Sequence, residues 1–188
     1  RPVIWYQIDR GAADPGRLFD LLGLGVAALT TRRRAADLPG YGRQVGDELD
    51  DFARAWFRAL FTRLPAETTL TFDDWHWIPA TSPLQRVLAN LLDELPAGHR
   101  LWLLSRHAAP AALDGARLRG RLLTIDFREL ALTVAEVGEL IGGRPAGSAG
   151  EAGRRAERWH RWCDGWIGAL TFALAAGRDE PASLPTAV

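Results

Sequence analysis

The sequence predicts an α/β fold built on a mostly parallel sheet. Three observations carry this. Short apolar segments alternate with longer segments whose apolar residues recur every three or four positions. The first short segment, VIWYQI, shows little alternation between apolar and polar, which suits a strand covered on both faces. Proline and short polar residues open the long segments, and glycine or proline closes them.

The elements follow in order. Val3 to Ile8 is the first strand. Asp14 before Pro15 marks a helix start, and Leu18, Leu22, Val26 and Leu29 carry that helix to about Arg33. Ala35 to Gly42 is a loop. Val45, Leu49, Phe52, Trp56, Leu60 and Leu64 form the stripe of a second helix, stopped by Pro65. Thr68 to Asp74 is a short β-prone segment ending in two carboxylates. Ser82-Pro83-Leu84-Gln85 has the form of a capping box opening a helix through Leu95. Arg100 to Leu104 is a strand ending in Ser105 and Arg106. A helical stretch spans Ala111 to Arg119, and a further strand is expected at Leu122 to Phe127. Thr133 and Glu136 form a second capping box for a helix to Ile141.

Glycine-rich residues 143–150 read as a flexible joint. The expected organisation is therefore an α/β core at 1–142, the joint, a helical subdomain starting at 151–177, and a tail at 178–188. The apolar helix within that subdomain, from Gly165 to Gly177, is shorter than the roughly 20 residues a bilayer requires, so a core helix and no membrane partner are expected.

Composition narrows the function classes. The 188 residues are 47% hydrophobic and 24% charged, which suits a globular chain and excludes disorder for most of it. The 23 basic and 23 acidic residues cancel. That argues against binding nucleic acid or an anionic membrane through overall charge. All basic residues are arginine, so lysine chemistry is excluded. Cys163 is alone, so no internal disulfide forms, and a reducing, cytoplasmic setting fits. The absence of Met suggests an internal piece of a longer polypeptide.

Ligands of parallel sheets sit beyond the carboxyl ends of the strands. The chemistry is therefore sought at Asp73-Asp74 and Ser105-Arg106. An apolar strand ending in two acids is the Walker B pattern: Asp73 holds Mg²⁺ through water, and Asp74 orients or deprotonates an attacking water. Ser105 and Arg106, after the next strand, are placed to sense a γ-phosphate, since arginine offers a fixed fork of donors. Asp73, Asp74 and His76 could also form a transition-metal site, but no further His or Cys stands at ligand spacing, and His76 reads as a partly exposed loop residue. Cys163 reads as a structural thiol. The tryptophans, Trp56 and Trp102 among them, read as core residues. The phosphate-cradling GxxxxGK[ST] does not occur in the chain.

LTFDDWHWI resembles the Walker B segment of the MalT-like signal-transduction ATPases, regulators that often end in a LuxR-type DNA-binding domain. WYQID with DPGRLFDLL, LPAGHRLWLLSRHAAPAAL, LRGRLLTIDFRELALTVAEVGELI and CDGWIGALTFAL resemble further segments in that family's order. The resemblance implies a P-loop-NTPase-like sheet that lacks its P-loop strand, followed by the start of a helical subdomain. It implies ATP or ADP with Mg²⁺ as cofactors, Asp73 as the metal ligand, Asp74 as the hydrolytic acid and Arg106 as the sensor. It also implies an upstream P-loop, DNA contact only through a domain outside these residues, and possible self-association. The alternative expectation is a degenerate, non-catalytic module for protein–protein interaction. A metal hydrolase using Asp73, Asp74 and His76 is a remote third.

Overall fold

The computed structural model describes residues 1–11, 14–30, 38–42, 48–142 and 149–181. It divides into two compact units, Arg1–Leu123 and Thr124–Val188.

The first unit is built on three parallel strands, β1 (Val3–Gln7), β2 (Thr69–Asp73) and β3 (Arg100–Leu103), in the order β1-β2-β3. In their register Ile4 faces Leu70 and Leu101 in one row, and Trp5 faces Thr71 and Trp102 in the next. Successive rows point to opposite faces. Helix α1 (Pro15–Leu29) starts at Asp14, whose carboxylate accepts from the backbone N–H groups of Gly16 and Arg17. It is followed by α2 (Leu49–Arg63) and, after β2, by α3 (Leu84–Glu94). Trp56, Phe57 and Leu60 of α2 and Val87, Leu88 and Leu91 of α3 are buried with Ile4, Tyr6, Leu70 and Phe72 in one core. Helix α1 comes close enough to β1 that a Cβ on Gly25 would stand 2.8 Å from the Ile4 Cγ2.

The strands advance in one direction across the sheet, and right-handed crossovers then place every connection on the same side. This corrects two expectations. VIWYQI is not covered on both faces: it alternates, with Ile4 and Tyr6 buried and Val3 and Trp5 51% and 59% exposed. Trp102 is not a core residue but 52% exposed on that same open face, whereas Trp56 is buried as expected.

Two local signals also resolve differently. Ser82 Oγ accepts from the Leu84 N–H, but the Gln85 side chain does not return to Ser82. Its amide donates instead to the carbonyls of Pro79 and Ile78, closing the turn before the helix. The expected strand at Leu122 to Phe127 does not form. Beyond the short helix α4 (Asp114–Leu118), the Arg121 guanidinium bonds the carbonyls of Leu92 and Leu95, and the chain runs unpaired with Leu123 82% exposed. Asp126 and Glu129 form a capping box that turns the chain into helix α5 (Phe127–Leu130). A strand needs a neighbour to satisfy its backbone, and no described strand lies beyond β3.

The second unit contains α5, α6 (Val134–Ile141), α7 (Ala149–Cys163) and α8 (Ile167–Ala175). The Thr133–Glu136 capping box forms as predicted. Val137, Ile141, Trp159, Cys163 and Leu170 make its core. Gly165, at φ +73°, accepts from the Leu132 N–H at 2.8 Å, and a Cβ there would stand 2.9 Å from both Ala131 Cβ and the Leu132 carbonyl oxygen.

The division between units thus falls at Leu123–Thr124, ahead of the expected joint. Helix α7 begins at Ala149, inside the expected joint, and shares one core with α6. Joint residues 143–148 lie outside the described residues. So do 31–37, covering the expected end of the first helix and part of the loop, 43–47 at the expected start of the second helix, and tail residues 182–188. No helix among the described residues is long and apolar enough to cross a membrane.

Candidate functional site

The carboxyl ends of the three strands are laced together. Ile8 donates its N–H to the Asp73 carbonyl at 3.0 Å, and Leu104 donates to the Phe72 carbonyl at 2.9 Å. Trp75 donates to the Leu104 carbonyl at 3.0 Å, which binds the turn after β2 to the end of β3. The Trp75 ring is buried and stacks on Phe72, with centroids 5.8 Å apart. An apolar anchor therefore holds the polar turn in place.

Asp73 is the last residue of β2, in register with Gln7 of β1. Its Oδ1 accepts from the Asp74 N–H at 2.8 Å. Asp74 adopts the left-handed conformation at φ 59°, ψ 36°, which aspartate visits more readily than most residues. It opens a tight turn over Trp75–Trp77 in which Trp77 donates to its carbonyl at 3.0 Å. Ser105 and Arg106 follow β3 at the same end of the sheet, both exposed. Ser105 Oγ accepts from the His107 N–H at 3.0 Å. The sheet thus brings the two sequence-predicted pairs to adjacent strand ends, as the strand-end rule anticipates.

Two more side chains belong to this cluster. The Gln7 amide donates to Asp74 Oδ2 at 2.6 Å. His76, in the turn after β2, is partly exposed as a residue, but its side chain is only 8% exposed, with Nδ1 3.6 Å from Asp74 Oδ1. The ring lies against Trp77 and His107, at centroid distances of 4.9 and 5.8 Å. The Arg10 guanidinium sits 4.5 Å above the Trp77 ring. Beside them, Asp9 accepts from the Gly11 N–H and pairs with Arg17, and these contacts hold its carboxyl below the ordinary aspartate value. Burial raises the Tyr6 phenol, whose oxygen has no hydrogen-bond partner among the described residues. Sequence spacing carried no signal for the Gln7–Asp74 bond, whose partners are 67 positions apart.

Among the described residues no three His, Cys, Asp or Glu side chains gather in a way that could hold a metal ion. Asp73, Asp74 and His76 therefore do not make the ligand set of a metal hydrolase. Mg²⁺ asks for less, because it keeps several waters and takes one or two carboxylates beside phosphate oxygens. Asp73 fits that lesser demand: one oxygen is tied to the Asp74 N–H, and the side chain is half-buried at a strand end. Cys163 is buried in the second unit, with Sγ 3.7 Å from the His160 carbonyl, as a structural thiol would be.

No protein-family model matches this chain, and no curated protein matches it.

Proposed function

We propose that the first unit is part of an ATP-binding regulatory switch, contributing the metal-binding acid and the phosphate-sensing arm of a nucleotide site. The observation that carries this reading is the lacing through Leu104, which sets Asp73-Asp74 and Ser105-Arg106 side by side at the carboxyl end of a parallel sheet. Asp73 would hold Mg²⁺, which neutralises charge on the phosphates when bound. Asp74 would orient the attacking water, and Arg106, which has no ion pair among the described residues, would meet the γ-phosphate.

The P-loop would come from a strand supplied by another part of the polypeptide. Three features support its place beside β3. The outer edge of β3 is unpaired among the described residues. The strand-like residues Leu122 and Leu123 pair with no strand among the described residues. The face bearing Trp5 and Trp102 is open, and a crossover from an added strand back to β1 would pass over it. The test is Mg-ATP binding and hydrolysis by the full-length protein. Asp73→Ala is expected to weaken Mg-nucleotide affinity at least about tenfold with the fold intact. Unchanged affinity and hydrolysis in that variant would sink the reading.

A second reading is a non-catalytic interaction module. The open sheet face favours it, since exposed apolar patches of this kind mark association sites. A full-length protein without nucleotide affinity, but with Trp5 and Trp102 shielded from a fluorescence quencher by a bound protein, would establish it.

A further inference from the structure

We propose that Gln7 and His76 are positioning residues that clamp the Asp74 carboxylate and so govern hydrolysis rather than nucleotide affinity. The proposal rests on the nucleotide reading of Asp73 and Asp74.

Both oxygens of Asp74 are addressed, each from a different side. Oδ2 accepts from the Gln7 amide, at the end of the neighbouring strand, at 2.6 Å. Oδ1 faces His76 Nδ1 at 3.6 Å, just outside hydrogen-bond reach. That nitrogen is buried and has no hydrogen-bond partner among the described residues, and a buried polar atom in this state calls for one. Asp74 Oδ1 is the acceptor beside it, and a small rotation of the carboxylate completes the bond without breaking the one to Gln7. The imidazole lies against the Trp77 and His107 rings, and the Asp74 side chain, 35% exposed against 8% for His76, is the freer of the two groups.

The adjacent acid is arranged otherwise. Asp73 spends Oδ1 on its neighbour's N–H. The two carboxylates therefore divide the work: one is left to a ligand, and the other is oriented by the protein. A base that activates water must be held within hydrogen-bond reach of it. Misplacement by about 1 Å can cost on the order of a hundredfold in rate.

The kinetic test uses the full-length protein with Mg-ATP. Gln7 is exposed, so Gln7→Leu removes the donor at little risk to the fold. In Gln7→Leu and His76→Leu, kcat is expected to fall roughly tenfold to a hundredfold while KM stays within about twofold. His76→Asn keeps a donor near the Nδ1 position and is expected to recover most of the loss. The second readout is the Gln7 side-chain amide by NMR. Asp74→Ala should shift its resonances and speed their exchange with water, with the remaining backbone spectrum preserved.

Unchanged kcat in both leucine variants, or a change in KM alone, overturns the proposal. So does a Gln7 amide that ignores Asp74→Ala. If Asp73→Ala leaves Mg-ATP affinity and hydrolysis intact, the nucleotide reading falls instead, and the clamp is decided by the amide alone.

Discussion

The backbone N–H of Leu104 donates to the Phe72 carbonyl at 2.9 Å, and the Leu104 carbonyl accepts from Trp75 at 3.0 Å. Leu104 thus ties two strand ends whose acids and arginine lie far apart in sequence. The pairing is made by backbone atoms, so it depends on sheet register rather than on the side chain of Leu104.

The left-handed backbone at Asp74 separates stability from function. Glycine adopts φ 59° at no steric cost, whereas alanine does not. Asp74→Gly is expected to be about 1 kcal/mol more stable than Asp74→Ala, while both lose any hydrolysis. Denaturant unfolding of the two variants decides it. Equal midpoints would mean that the turn carries no strain.

Gly25 sets the spacing between α1 and β1. Valine there would drive its branched Cβ into Ile4, which is already buried. Gly25→Val should cost about 1–3 kcal/mol by overpacking, outweighing the gain in helix propensity. A thermal midpoint at or above wild type would show that the helix can lift away freely.

Gly165 plays a harder part in the second unit. Its positive φ and the nearby Leu132 carbonyl both exclude a Cβ. Gly165→Ala should lower the stability of the second unit by about 1–3 kcal/mol and leave the first unit unchanged. Hydrogen exchange resolves the two units: faster exchange confined to α6, α7 and α8 is expected. Uniform acceleration in both units would show that the effect of Gly165 is not confined to the second unit.

The Arg58 guanidinium bonds both oxygens of Glu94, at 2.7 and 2.6 Å, and holds that carboxyl below its ordinary 4.5. A lowered carboxyl pKa stabilises the folded state above the unfolded value, and the gain is lost as pH falls through the folded value. Arg58→Ala should therefore be less stable than wild type at pH 7, with the gap closing as the pH drops below about 4.5. The effect is small, because Arg58 is 66% exposed. A gap that widens in acid would reverse the sign of the argument.

Much of the fold was legible because its signals are local. The stripes of α2 and α3 follow helical spacing. Asp14 and Thr133 cap as their sequence context predicts, since a cap involves residues two or three apart. The acids at the end of β2 and the Ser-Arg pair after β3 were found by the rule that ligands meet strand ends. Readings that needed a neighbour were less secure. Leu122 to Phe127 has the composition of a strand but no described strand to pair with, and the Asp126–Glu129 box takes the chain into a helix.

The sequence by itself marked the three strands that form, beside a fourth at Leu122 to Phe127 that does not, together with the main helices and the positions of the candidate acids and arginine, because these follow from short-range periodicity and chain order. Only the tertiary structure decided which face of the sheet is covered, where the units divide and what holds Asp74. Those depend on the direction in which successive strands are laid down and on contacts such as Gln7 to Asp74, across 67 residues. Such contacts are products of topology and register, and no local pattern of residues encodes them.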